Sequence, residues 1–442
     1  MLIVLGILFL LSLVIIHEIG HFVAARRAGI DVEEFGIGFP PRIAILTEKN
    51  GTKYTLNALP LGGFVKLKGE HDSDLEPGAY GAATLKQKIV VMVAGVVMNV
   101  LVAIFLLTII SAVSMPKVLP NQFSVASDTK VVRHDIVLSV AEDSPAANAT
   151  LFTNEEDHEG HEDHEEHVTT EATDSFSETG TGLKDGDKLL LIRAHDCEEL
   201  GDITTDEILL DTNTYQDNEC VHVIADAASV KPATQALSSR EDRHVVITVN
   251  RDGQQLDFHT ELLSPTEVAS SIEDNKTCID AGESDCPAVK GYLGIVPSDY
   301  IRQRSTWSAP IAGVALTGQF FWETLRGLGG IITNLFSGNA SKAGEQVTGV
   351  VGIGYVLKEL SSQGFVSVLF LTAVISISLA VMNILPIPAL DGGRLFVTIV
   401  SRVMLKRPLS RRAEEQIHGT GFALLMILFV LITVLDVKRF IL

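Results

Sequence analysis

Four stretches of this chain are apolar over about the length of a bilayer-crossing helix, and that sets its class before any motif is considered. Residues 1–25 are apolar except for Ser12, His17, Glu18 and His21, and further runs cover 89–114, 364–387 and about 419–435. Roughly 20 residues of helix cover the ~30 Å of hydrocarbon in a membrane. The expectation is a multi-span α-helical membrane protein with about four transmembrane helices, for which the lipid bilayer is the first partner. A cleaved signal peptide is the competing reading of the first run. That run has no basic start and no A-x-A-like cleavage site, and Arg26 and Arg27 follow it at once, all of which oppose cleavage.

Charge is shared unevenly along the chain. Residues 115–363 hold 17 Lys/Arg against 42 Asp/Glu, whereas 1–114 hold nine of each and 364–442 hold eight basic and four acidic residues. So acidic a centre argues against nucleic acid as a partner, because phosphate contacts need positive charge. The short segments 26–88 and 394–412 carry nine and six Lys/Arg, which places both in the cytoplasm by the positive-inside rule. Four crossings then put both termini and the whole of 115–363 outside. Cys197, Cys220, Cys278 and Cys286 all fall in that outer segment. An oxidising compartment suits two disulfides, and Cys197–Cys220 with Cys278–Cys286 is one of three possible connectivities.

The outer segment carries strand and turn signals. Val137–Val140 leads into Glu142-Asp-Ser-Pro145, Gly182-Leu-Lys-Asp-Gly186-Asp187 feeds an apolar strand to Ile192, and His244–Asn250 alternates before the hairpin turn Arg251-Asp-Gly253. The order of strand, Ser-Pro-Ala, Gly-Leu-x-x-Gly-Asp, strand, helix and strand-turn-strand resembles a PDZ domain, an α+β fold that binds peptides as an added strand at a sheet edge. Interruptions at about 151–179 and 197–240 separate its parts. The first holds His158, His161, His164 and His167 among carboxylates. Such a run collects divalent ions in some settings and is a solvated, disordered insertion in most. Beyond the domain, Trp307, Phe320, Phe321 and Trp322 near Glu323 and Arg326 suggest an interfacial amphipathic segment rather than a fifth crossing. The expected domains are 1–114 with two spans, 115–300 outside, 301–363 interfacial and 364–442 with two spans.

The chemistry concentrates in His17-Glu18-Ile19-Gly20-His21, an H-E-x-x-H. On a helix the two histidines share one face, and the glutamate stands beside them. Two imidazoles and a third protein ligand leave zinc an open position for water, with the glutamate as general base. Charged residues inside a span cost ~2.5–3.5 kcal/mol each on insertion scales, so three ionisable groups clustered at 17–21 need a compensating partner such as a metal. The third ligand is expected from another span. Asn383-Ile-Leu-Pro-Ile-Pro388-Ala-Leu-Asp391-Gly-Gly393 follows the third run, its prolines break the helix at the membrane edge, and its glycines permit close backbone approach. Asp391 then stands at the same cytoplasmic depth as His17 and His21.

These two motifs, in this order, resemble the bacterial site-two proteases, intramembrane zinc metalloproteases with a PDZ domain, of the regulator-of-sigma-E protease type. The resemblance covers nearly the whole chain. It implies one Zn2+ per chain held by His17, His21 and Asp391, with Glu18 as catalytic base and Asn383 near the metal holding substrate or oxyanion. It also implies residence in the bacterial inner membrane with the PDZ-like domain outside. Substrates would be single-span membrane proteins already cut by another protease, such as anti-sigma factors or remnant signal peptides. Phe35–Arg42 and Tyr54–Lys66 resemble the family's membrane-associated β-hairpin, which places Gly62, Gly63 and Phe64 against substrate. Alternation at 53–59 further suggests a strand with an open edge. Two positions depart from the pattern: Val96 in Ala94–Asn99, and Val350 in Gly349–Ile353, each where proline is usual. The alternative from another class is a non-catalytic membrane adaptor, with a structural metal and a peptide-binding PDZ-like domain. A structural zinc prefers four closed ligands, and three with a base beside them favours catalysis.

Overall fold

The computed structural model describes residues 2–71, 73–152, 182–195, 221–280, 286–338, 344, 347–404, 406 and 409–440. In chain order the elements begin with α1 (Leu2–Arg27), β1 (Val32–Lys49), β2 (Thr52–Leu67), α2 (Leu85–Val113) and β3 (Met115–Pro116). Then come β4 (Lys130–Val140), β5 (Thr150–Phe152), β6 (Lys188–Ala194), β7 (Val221–Val223), α3 (Ala227–Ser238), β8 (His244–Arg251), β9 (Gln254–Glu261), α4 (Pro265–Asp280) and β10 (Ile295–Arg304). The chain finishes with α5 (Ala309–Phe336), α6 (Val350–Ser362), α7 (Phe365–Ile384), α8 (Asp391–Ile399) and α9 (Arg411–Phe440). Two compact units result, one from Met1–Val132 with Gln303–Leu442 and the other from Arg133–Arg302.

Among the described residues α1, α2, α7 and α9 are the four helices long and apolar enough to cross a bilayer. No more than 44% of each span's most apolar window is buried within the protein, and the apolar side chains left partly or fully exposed need lipid as their solvent. This is a membrane protein. Helix α2 starts at a capping box, with Thr84 and Gln87 exchanging hydrogen bonds, and it runs through Val96 without a break. Where α2, α5 and α7 meet, Ala103, Leu107, Ala312, Leu316, Ala373 and Ile377 form a common core. Helix α5 comes close because Gly313 lies against Thr108 Oγ1 and the Ile104 carbonyl. The segment expected to be interfacial therefore packs one face of α5 onto two of the spans, while Trp322 on another face stays exposed.

The region between α1 and α2 folds back twice, and its pairing corrects one expectation. Tyr54–Leu56 pairs with Phe35–Ile37 on one side and with Ala44–Thr47 on the other, so the first part of 53–59 is an inner strand with no open edge there. Phe35–Ile37 pairs in turn with Gly63–Val65, which makes the end of β2 the outer strand. Alternation could not distinguish these cases, because an inner strand with one face buried alternates as an edge strand does.

Asp436, near the C-terminal end of α9 and only 2% exposed, explains the second departure. Its carboxylate accepts from the Gly349 and Gly352 backbone N–H groups at 3.0 and 2.8 Å, at the start of α6, where the helix dipole favours an anion. A Cβ at Gly349 would lie 2.7 Å from Ile432 and 2.9 Å from Asp436. The two glycines, not the residue after the first, carry this contact, so Val350 is accommodated. Asp436→Ala leaves two N–H groups unsatisfied and is expected to lower stability by about 1–3 kcal/mol. Thermal unfolding in detergent reads that loss, and an unchanged midpoint would contradict it.

The second unit is a sheet in the order β10-β4-β6-β8-β9-β5, with β7 also on β6. Its core gathers Leu138, Ile192, Leu237, Ile247, Phe258 and Leu262. The expected hairpin is present: Asp252 and Gly253 have φ of 55° and 89°, as a two-residue turn joining β8 to β9 requires. Asp187 of the Gly-Leu-x-x-Gly-Asp segment is buried and accepts from Arg251 Nε at 2.7 Å and an Arg251 terminal nitrogen at 2.6 Å. That bidentate pair locks the turn to the hairpin. Cys278 and Cys286 form a disulfide. Cys197, Cys220 and the histidine-rich run at 158–167 lie outside the described residues.

Candidate metal centre

Helix α1 brings His17 and His21 onto one face, and the rings meet edge-on with centroids 4.8 Å apart. Both are buried. Asp391 reaches them from a chain segment 370 residues away, with its Oδ2 3.0 Å from His17 Nε2 and 3.1 Å from His21 Nε2. The two Nε2 atoms are 3.2 Å apart. Three donor atoms thus converge on one point, and among the described residues this is the group whose ligand atoms lie close enough to hold a metal ion.

The local sequence produces this convergence. After α7 the chain turns through Pro386 and Pro388, Ala389 takes φ of 80°, and α8 opens at Asp391. The turn is tight enough that a Cβ at Gly392 would lie 2.3 Å from the Leu385 carbonyl oxygen, and one at Gly393 2.0 Å from that of Ile387. Only glycine fits at either position, as the motif suggested. One turn on, Arg394 donates to Glu70 at 3.2 Å and so ties α8 to the segment just beyond β2. Burial works against ionisation of Asp391, yet the hydrogen bonds from His17 and His21 hold its carboxyl well below the usual carboxylate range. The third donor is therefore an anion.

Sequence reasoning did not identify the contribution of α2. His21 Nδ1 lies 2.8 Å from the Val91 carbonyl, which can only accept, so that nitrogen carries a proton and Nε2 is the one left to face a metal. His17 Nδ1 lies 3.2 Å from the Asn99 side chain. Between these two contacts sits Gly95, where a Cβ would fall 2.5 Å from His21 Nε2 and 2.6 Å from His17 Nε2. Positions 91, 95 and 99 are spaced by four, so all three share one face of α2. That spacing was legible within Ala94–Asn99, but nothing in the sequence said the face would meet the histidines.

Glu18 is half-buried beside the cluster, within electrostatic reach of His17, His21 and Asp391. Gly62, at φ of 118°, packs between the Phe39 ring and Val14, and a Cβ at Gly63 would lie 3.5 Å from Glu18 Cγ. The outer strand of β2 therefore runs along α1 at the level of Glu18. Phe64 lies across Gly36 within the sheet. Asn383 is half-buried in the last turn of α7. The structure thus brings together His17, His21 and Asp391, with Glu18, Gly62 and Gly63 alongside.

Two imidazole nitrogens and a carboxylate oxygen suit zinc in both donor type and number, and leave a position for a fourth group. The cradle at Gly95 is shaped for two imidazole edges, so the residues present fit that metal. Comparison with known proteins agrees. Residues 5–428 match the family described as Peptidase family M50. The chain is 27% identical to the zinc metalloprotease RasP of Oceanobacillus iheyensis over 97% of its length and 96% of that protein's. It is 26% identical to the probable protease eep of Enterococcus faecalis, over 97% of this chain and 96% of that protein.

Proposed function

The chain belongs to peptidase family M50 and is a zinc metalloprotease of the membrane, and from that premise we propose that it hydrolyses peptide bonds in the transmembrane segments of other membrane proteins. His17, His21 and Asp391 hold one Zn2+, and Glu18 is the general base. The observation that carries this reading is the meeting of three donor atoms, two from α1 and one from the start of α8, within 3.0–3.2 Å of one another, at the flank of a half-buried glutamate.

Bound there, zinc supplies Lewis acidity toward the scissile carbonyl and toward water. Glu18 takes the proton of the attacking water on its carboxylate and returns it to the leaving amide nitrogen. The buried wall at Gly63, where a Cβ would lie 3.5 Å from Glu18 Cγ, orients that carboxylate. A transmembrane helix has its backbone tied up internally, so a substrate must be drawn out before it can be cut. Among the described residues the outer strand Gly62–Leu67 is paired on one side only, and it lies beside Glu18. An extended substrate added along that strand, with Gly62, Gly63 and Phe64 beneath it, would present its backbone to the metal. Asn383 holds substrate or the oxyanion from the α7 side.

The finer parts of the reading rest on the sequence. Basic loops at 26–88 and 394–412 place the centre at the cytoplasmic side of the bacterial inner membrane and the unit 133–302 outside, as a PDZ-like peptide reader. Substrates of this class arrive already shortened by another protease. The test is cleavage of a single-span substrate in proteoliposomes before and after treatment with a zinc chelator. Cleavage is expected to fall to background on chelation and to return on adding zinc. Chelator-resistant cleavage would overturn the metal assignment.

A further inference from the structure

The two histidines are not held alike. His21 donates its Nδ1–H to a backbone carbonyl, the Val91 oxygen at 2.8 Å, which leaves Nε2 to face the metal. Among the described residues His17 has no such backbone partner at Nδ1; the group within reach is the Asn99 side-chain amide, whose Nδ2 stands 3.2 Å away. When Nε2 of a histidine binds a metal, Nδ1 carries the proton and needs an acceptor. Asn99 has one: its Oδ1 is buried, has no hydrogen-bond partner, and exchanges places with Nδ2 by a half-turn of the amide. The residue is itself fully buried, with its backbone carbonyl accepting from Ser376 Oγ of α7 at 2.9 Å. The backbone at this position is thus held by a contact that a change of side chain leaves intact.

From this juxtaposition we propose that Asn99 is a positioning residue for the metal centre, accepting the Nδ1 proton of His17 through Oδ1 and so presenting its Nε2 lone pair to the metal. It does not touch substrate or metal. Its work is to set the tautomer and ring angle of one ligand, as the Val91 carbonyl does for the other. The inference rests on His17 and His21 being ligands, as proposed above. It adds a source of metal affinity in the second span, eight residues along α2 from the Val91 acceptor and on the other side of Gly95.

The test is zinc affinity of the full-length chain in detergent, measured by competition with a chromogenic chelator, for wild type, Asn99→Leu, Asn99→Asp and His17→Ala. Asn99→Leu keeps the size of the side chain and removes the acceptor. It is expected to weaken zinc binding by about 10–100-fold, the usual cost of losing such a partner. Asn99→Asp restores an acceptor and is expected to bind within a few-fold of wild type. A packing role would predict the reverse order, because the buried carboxylate is the harsher change for a fold, and the thermal midpoint of each zinc-free chain reports that separately. If Asn99→Leu misfolds, near-wild-type zinc affinity in Asn99→Asp still supports the inference, and a loss there as large as in His17→Ala overturns it. Zinc affinity unchanged in a folded Asn99→Leu also overturns it. If His17→Ala leaves zinc affinity unchanged, the failure belongs to the ligand assignment and not to Asn99.

Discussion

Glu18→Gln is expected to keep its zinc and to lose cleavage by about 10²–10⁴-fold, the range that a positioned general base contributes. The substitution is close to isosteric, so packing against Gly63 survives. Zinc binding survives because the three converging donors belong to His17, His21 and Asp391. What disappears is the carboxylate's capacity to take a proton at neutral pH. The measurement is a paired one, zinc content of the purified variant and cleavage of a single-span substrate in proteoliposomes. Zinc retained with cleavage at background supports the assignment. Wild-type rates would remove Glu18 from the chemistry, and zinc lost together with cleavage would recast it as a ligand.

The positions of Glu18 and its neighbours show how far the sequence could be read. H-E-x-x-H inside an apolar run was legible because ionisable groups in hydrocarbon demand a partner, and the proline and glycine spacing around Asp391 was legible because each residue type permits so few backbone conformations. The four spans followed from length and hydropathy alone. Elsewhere the pattern was consistent with more than one structure. Residues 53–59 alternate whether they sit at an edge or inside a sheet, and the count of strands between α1 and α2 decided the matter. The aromatic residues of 307–322 suggested an interface, while the packing of α5 is set by its small residues, Ala312 and Gly313, against α2. Asp436 looked like a charge near the end of a span. Its partners are backbone N–H groups, which leave no signature in side-chain identity. Asn99 and Gly95 were visible as part of a motif, yet their work depends on which face of α2 turns toward α1, and an almost uniformly apolar helix does not encode that in its periodicity.

Gly95→Ala is the sharpest consequence of that hidden face, with an expected loss of both zinc and activity from the addition of one methyl group. The new Cβ would fall 2.5–2.6 Å from the Nε2 atoms of both histidines, nearer than any non-bonded carbon settles. Relief by moving α2 away from α1 is resisted, because α2 is packed against α5 and α7 and Ser376 of α7 donates to the Asn99 carbonyl. The rings must therefore give way, and they are the part of the structure whose position the metal requires. A shift on the order of 1 Å in a reacting group costs about 10²-fold in rate, and a shift in two ligands at once is expected to cost at least as much in zinc affinity. Gly354→Ala supplies the comparison, since a Cβ there meets nothing within 4 Å and alanine is the better helix former by up to about 1 kcal/mol. Zinc affinity and cleavage measured side by side should leave Gly354→Ala at wild-type values and Gly95→Ala at background. If Gly95→Ala binds zinc and cleaves as the wild type does, the histidines do not work from the positions they occupy here, and the close approach of α2 is packing without a catalytic consequence.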